Sequence, residues 1–68
     1  MKLSARNVLK GTVIEVTKGA VNAIVRIDIG GAVVSSSITI SAVDELGLKV
    51  GEQAYAVIKA SDVMVGRD

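Results

Sequence analysis

Sixty-eight residues make room for one folding unit; half of them are apolar, yet Tyr55 is the only aromatic side chain. Cysteine and histidine are absent, which removes disulfide staples, thiol chemistry and imidazole catalysis and leaves no side-chain cluster that would ligate a metal directly. The net charge of +1, with its signs interspersed, excludes a broad nucleic-acid surface, and Arg26, Asp28 and Lys59 cut the apolar stretches short of the roughly 20 residues that a membrane-spanning helix needs.

Met1-Lys2-Leu3-Ser4 opens the chain without the apolar run of a secretory leader, so a cytoplasmic protein is expected. Period-two alternation then dominates. From Asn7 to Val16 one parity reads Val8, Lys10, Thr12, Ile14, Val16 and the other Leu9, Gly11, Val13, Glu15. Both are largely apolar, which predicts a strand with two partly buried faces. Thr17-Lys18-Gly19 reads as a turn. Val21, Ala23, Val25, Ile27 and Ile29 form the apolar parity of a second strand, and Gly30-Gly31 is a hairpin signal. Val34, Ser36, Ile38 and Ile40 continue a third strand against Ser35, Ser37 and Thr39. The serine run 35–37 fits a solvent-facing or edge segment; a close-packed subunit contact that admits only small side chains is the functional alternative.

The rhythm changes at Ser41, which with Asp44 three residues on resembles a capping box. Ala42 to Leu46 is then a helix of about one turn, with Gly47 as its stop. Lys49-Val50-Gly51-Glu52 reads as a turn. Gln53 to Ala60 is a fourth strand, with Tyr55 and Val57 on one face and Ala54, Ala56 and Ile58 on the other. Val63-Met64-Val65 is a short fifth strand, and Gly66-Arg67-Asp68 a frayed end. Three strands, a short helix and two strands is the order of an all-β, OB-like five-stranded barrel. No proline, linker or low-complexity stretch marks a second unit, so residues 1–68 are expected to be one domain.

A domain of this size buries only about 60% of its unfolded surface and is marginal alone. With no disulfide available, the apolar excess is expected to be buried between subunits.

Catalysis finds little support. No serine has a candidate base near it in sequence, and serine nucleophiles need one. Asp44 and Glu45 sit at the start of the expected helix, where the helix dipole accounts for them without acid–base work. The chain is therefore expected not to be an enzyme. The chemistry concentrates instead in two polar clusters at the ends of apolar strands: Ser4-Ala5-Arg6-Asn7 and Lys59-Ala60-Ser61. Each combines a cation with a small hydroxyl residue. Brought together, they would offer donors and positive charge to a small oxyanion.

Several stretches taken together resemble the molbindins, the small molybdate-binding proteins also called molybdenum-pterin-binding proteins, whose module is the Mop or TOBE domain. They are Ser4-Ala5-Arg6-Asn7, Leu9-Lys10-Gly11, Lys18-Gly19-Ala20-Val21, Ile38-Thr39-Ile40, Val43-Asp44-Glu45-Leu46-Gly47 and Ala56 through Met64. The resemblance implies an OB-like fold, a homohexamer built as a trimer of dimers, and molybdate or tungstate bound between subunits. It implies one type of site made by Ser4, Ala5, Arg6, Asn7, Lys59, Ala60 and Ser61 of one subunit and by Thr39, Ser41 and Ala42 of a neighbour. It implies a second type, near the three-fold axis, drawing on Lys18, Gly19, Ala20, Val21 and Asn22. At position 42 relatives often carry Ser where this chain has Ala, so Ser41 or backbone N–H groups must replace that contact, or it is missing.

The residue types suit the implied ligand. Molybdate is a dianion at neutral pH and only accepts hydrogen bonds. Arg6 offers a planar fork of donors and Lys59 a point charge. The hydroxyls of Ser4 and Ser61 can rotate to donate, and Ala5 and Ala60 let backbone N–H groups approach. The competing reading is an OB-fold nucleic-acid-binding module, since Gly11 to Val16 resembles the opening strand of the bacterial translation initiation factor with a single OB domain. Such a module needs stacking aromatics and a cationic groove, and one tyrosine with a net charge of +1 supplies neither.

Overall fold

The computed structural model describes residues 1–68. Four strands form one antiparallel sheet: β1 (Asn7–Lys18), β2 (Asn22–Asp28), β3 (Val33–Thr39) and β4 (Gln53–Ile58). Their order across the sheet is β3-β2-β1-β4. A seven-residue helix, α1 (Ile40–Leu46), follows β3, and a 3-10 turn, η1 (Ala60–Asp62), follows β4. The sheet curls into a half-barrel, and an apolar groove of about 440 Å³ runs beside its open edges, with Ile27, Ser36, Ile38, Tyr55 and Val57 among its walls.

β1 organises the sheet because it is long enough to serve two partners. Its first half pairs with β4, from Asn7↔Ile58 to Thr12↔Gln53, and its second half with β2, from Thr12↔Asp28 to Lys18↔Ala23. A bulge between Val13 and Glu15 separates Val13↔Ile27 from Glu15↔Arg26. An extra residue flips the inward parity. Leu9 and Val13 face the core before the bulge, and Val16 packs against it afterwards. This accounts for apolar residues on both parities. The expected pair of partly buried faces is not what forms: Val8 and Ile14 stay exposed on the outer face.

β2 alternates as expected, burying Ala23, Val25 and Ile27. The turn before it lies further along than Thr17-Lys18-Gly19, because Thr17 and Lys18 still pair with Ile24 and Ala23. The turn residues are Gly19 to Val21, closed by the Gly19 N–H donating to the Asn22 carbonyl at 2.8 Å. Gly30 and Gly31 both take φ +86°, the left-handed region that glycine enters without steric cost. Asp28 Oδ1 accepts from the Gly30 N–H at 2.9 Å and fixes that hairpin. β3 is an edge strand, so the serine run 35–37 lies at a sheet edge.

The helix begins earlier than its sequence pattern suggests. Thr39, not Ser41, is the N-cap: its backbone is extended (φ −71°, ψ 151°) and its Oγ1 accepts from the Ala42 N–H at 3.1 Å. Ser41 already lies inside the helix. Asp44 completes no capping box and meets Lys18 instead, at 3.4 Å. Gly47 ends the helix as expected, its N–H turned back to Asp44 and Val43. Val43 is the buried residue of α1 and plugs the core, beside Leu48.

The fifth strand is absent. β4 ends at Ile58, two residues short of the expectation, and η1 bends the chain out of the sheet. Val63 to Val65 have strand-forming side chains but no ladder partner, and Met64 and Val65 are each 94% exposed. Propensity makes a strand only where a pleated neighbour receives it.

Only six of 68 residues are buried: Val13, Ala23, Val25, Ile27, Val43 and Ala56. Gly11 sits where β1 passes the end of β2. A Cβ there would lie 2.7 Å from Ile27 Cγ2 and closer still to the Asp28 carbonyl oxygen.

Two stability measurements follow. Gly11→Ala forces the β1–β2 contact apart, and overpacking of this kind costs about 1–3 kcal/mol; thermal denaturation should show a midpoint lower by roughly 5 °C or more. Gly66→Ala, where an added Cβ meets nothing, should leave it unchanged.

Thr39→Ala should cost about 1 kcal/mol through loss of the cap, and Ser41→Ala less than about 0.5 kcal/mol. Equal losses in urea denaturation would contradict the cap at Thr39.

Candidate functional site

The two polar clusters meet at one end of the sheet. Asn7 and Ile58 are register partners, the first residue of β1 and the last of β4. Arg6 and Lys59 are therefore the next residues outward on neighbouring strands. Asn7 Nδ2 donates to the Ile58 carbonyl at 3.3 Å and ties the junction. Asn7 thus acts on the backbone of the rear cluster, and its amide is partly spent.

After Lys59 the chain turns tightly. The Asp62 N–H donates to the Lys59 carbonyl at 2.8 Å, and the Val63 N–H to that of Ala60 at 3.3 Å. The N–H groups of Ala60 and Ser61 precede the first hydrogen bond of this turn, as the opening N–H groups of a helical turn do. Ser4, Arg6, Lys59, Ala60 and Ser61 are exposed, and Ala5 and Asn7 half-buried. The chain's two salt bridges are Lys18–Asp44 and Arg26–Glu15, so neither Arg6 nor Lys59 has a carboxylate partner. The hydroxyls of Ser4 and Ser61 also make no hydrogen bond within the chain. The cations of Arg6 and Lys59 and the hydroxyls of Ser4 and Ser61 are left to solvent or a ligand.

Thr39, Ser41 and Ala42 lie elsewhere. Thr39 pairs with Asn22, and the Ile40 N–H donates to the Val21 carbonyl at 2.9 Å. The start of α1 is thereby fixed to the Lys18–Asn22 turn. The segment expected to complete the first type of site thus adjoins the second. Ten residues of β1 lie between Asn7 and Lys18, roughly 35 Å of strand path at the usual rise. No side-chain hydrogen bond or ion pair within the chain joins the front–rear cluster to the Thr39–Ala42 segment.

The cap bears on position 42. The Ala42 N–H is engaged by Thr39 Oγ1 and cannot substitute for a lost hydroxyl. The Ser41 hydroxyl, exposed and without a side-chain hydrogen bond, and the O–H of Thr39, whose oxygen only accepts in the cap, are side-chain donors left in this segment. No group of three or more His, Cys, Asp or Glu side chains converges to hold a metal ion, so the chemistry available is that of donors and positive charge.

Two features had no signal in the sequence. The Lys18–Asp44 pair joins residues 26 apart and depends on how the β1–β2 turn meets α1. The tight approach at Gly11 depends on register.

The TOBE domain model matches residues 3–65 of the chain. A probable molybdenum-pterin-binding protein of Haemophilus influenzae is 61% identical over 67 residues, 97% of each chain. Molybdenum-pterin-binding protein 3 of Clostridium pasteurianum is 48% identical over 66 residues, 96% of this chain and 97% of that one. Among solved structures, a molybdate-binding protein from Sporomusa ovata superposes with a TM-score of 0.93 at 39% identity, over 98% of this chain and all of that one. The cytoplasmic molybdate-binding protein ModG, solved with molybdate bound, gives a TM-score of 0.89 at 52% identity, over 94% of this chain and 46% of that one.

Proposed function

We propose that this chain, which belongs to the TOBE domain family, binds molybdate or tungstate between copies of itself. Its role on this reading is non-catalytic: a cytoplasmic store that buffers molybdenum, with residues 1–68 acting as one domain. The observation that carries the proposal is the separation of the donors. Asn7 pairs with Ile58 where β1 begins, so Ser4, Arg6, Lys59 and Ser61 would form one half of an oxyanion shell there, while Thr39 pairs with Asn22 beyond the far end of β1, where Thr39 and Ser41 would offer further hydroxyls. A second copy can bring the two halves together.

Supporting this reading, relatives of nearly the same length carry molybdenum in their names, and ModG holds molybdate. Exposed apolar residues point the same way: Val21, Leu46, Val50 and Val63 to Val65 remain at the surface beside a core of six residues. Patches of this kind mark association. A homohexamer built as a trimer of dimers is the assembly we infer. The Lys18–Asn22 turn, fixed to the start of α1, is the second type of site.

The direct test combines native mass spectrometry with calorimetry. A closed multimer, expected to be a hexamer, should bind molybdate. Arg6→Ala should weaken binding by roughly 30-fold or more, since removing one partner of a desolvated charge pair costs about 2 kcal/mol at least. Lys59→Ala should weaken it less, because an ammonium lacks the bidentate fork. A folded monomer, or unchanged binding by both variants, would defeat the interface site.

Selectivity gives an independent check by competition against labelled molybdate. Tungstate, nearly equal in size and charge, should compete well. Phosphate should compete poorly, because near neutral pH it retains a proton that needs an acceptor, and a donor-rich shell leaves that O–H unpaired at a cost of ~1–3 kcal/mol. Sulfate has the right charge and no proton, but its oxygens lie closer to the centre, so a rigid shell made for the larger ion leaves stretched hydrogen bonds. Efficient displacement by equimolar sulfate or phosphate would reduce the site to a generic anion patch.

A further inference from the structure

The two candidate sites differ in the state of their cations. Arg6 and Lys59 have no carboxylate partner, whereas Lys18 Nζ lies 3.4 Å from Asp44 Oδ1. The fold makes this pair: Lys18 ends β1, Asp44 stands in α1, and the Ile40 N–H to Val21 carbonyl bond holds the helix start against the turn. Glu45, the next residue of the helix, is exposed and makes no ion pair.

We propose that Asp44 is an internal competitor for Lys18: its carboxylate occupies the ammonium in the free protein and gives way when a dianion is held at the Lys18–Asn22 turn. This rests on the oxyanion reading of that turn. The physical reason is direct. A dianion bound through Lys18 would meet like charge from Asp44 a few ångströms away, and both would draw on one cation. The side chains of Lys18 and Asp44 are 51% and 66% exposed, so Asp44 is free to swing into solvent, and the competition is moderate. The turn is therefore the weaker of the two sites and fills after the front–rear cluster as molybdate rises. Asp44 sets the interval between the two affinities, and with it the concentration range over which the protein buffers the ion.

The test is calorimetric titration of sodium molybdate into the intact assembly, for the unaltered protein, Asp44→Asn and Glu45→Gln. Native mass and circular dichroism first establish that each variant is folded and assembled. Asp44→Asn should tighten the weaker class of sites by about three- to tenfold. Glu45→Gln removes the same charge one residue away and should stay within about twofold of the unaltered protein. Lys18→Gln should weaken that class and abolish the gain from Asp44→Asn. An Asp44→Asn affinity that is unchanged or weaker, or an equal gain from Glu45→Gln, would overturn the competitor role while leaving molybdate binding in place. Unaltered binding by Lys18→Gln would remove the turn as a site. No molybdate binding by the unaltered protein would overturn the oxyanion reading itself, and the competitor role with it.

Discussion

β1 is the constraint on which the rest of the molecule depends. One strand of twelve residues serves β4 with its first half and β2 with its second. The bulge between Val13 and Glu15 resolves the conflict this creates, because a straight strand would turn one half's apolar residues outward. Val13 sits at the changeover, fully buried, with its N–H donating to the Glu52 carbonyl at 2.9 Å and its carbonyl accepting from the Gly51 N–H at 2.8 Å. The same strand fixes the functional geography. Whatever precedes Asn7 is delivered to the exit of β4, and whatever follows Lys18 is delivered to the start of α1.

The energetics of so small a core bear on what surrounds it. Val, Ile and Ala fill its six buried positions, with no aromatic among them. A domain of this size buries a smaller share of its unfolded surface than a larger one does. A lone chain of this kind stands near the balance point. The apolar side chains left outside, from Val8 and Ile14 on the outer sheet face to Leu46 and Val50 beyond, are the reserve from which association can stabilise it. No buried polar group is left without a partner, so the interior holds no stored polar strain to relieve. Unpaired polar side chains lie at the surface, Ser4, Arg6, Lys59 and Ser61 among them.

Much of this was legible in the residues. Alternation placed Ala23, Val25 and Ile27 inside and identified the faces of Tyr55 and Ala56, because side-chain parity in a strand is a local property. The pairing of the front and rear clusters followed from resemblance and is explained by register: Asn7 opposite Ile58 puts Arg6 and Lys59 side by side. What escaped was non-local. The cap moved from Ser41 to Thr39 because Asn22↔Thr39 pairing and the Ile40 N–H bond to Val21 end β3 there and start the helix two residues early. The fifth strand failed because Val63 to Val65, beyond η1, pair with neither open edge of the sheet, which no propensity can reveal. Gly11 carried no signal until Asp28 and Ile27 were placed against it.

The proposed shell also constrains how copies can associate. Its two halves are different surfaces of the same chain, the Arg6–Lys59 end and the Thr39–Ser41 end. A contact that joins them can be isologous, each surface of one copy meeting the other surface of its partner about a two-fold, or head-to-tail and closing into a ring, and a trimer of dimers has room for both. A ring also gathers equivalent turns around its axis, which suits a second type of site at Lys18 to Asn22. An anion held across either contact binds the assembled state and not the separate chains, so by mass action it strengthens the assembly by RT ln(1 + [L]/Kd) for each site. Ligand and assembly then support one another. On this proposal a chain too small to bury its own apolar surface gains stability from its neighbours, and the neighbours gain stability from the ion they share.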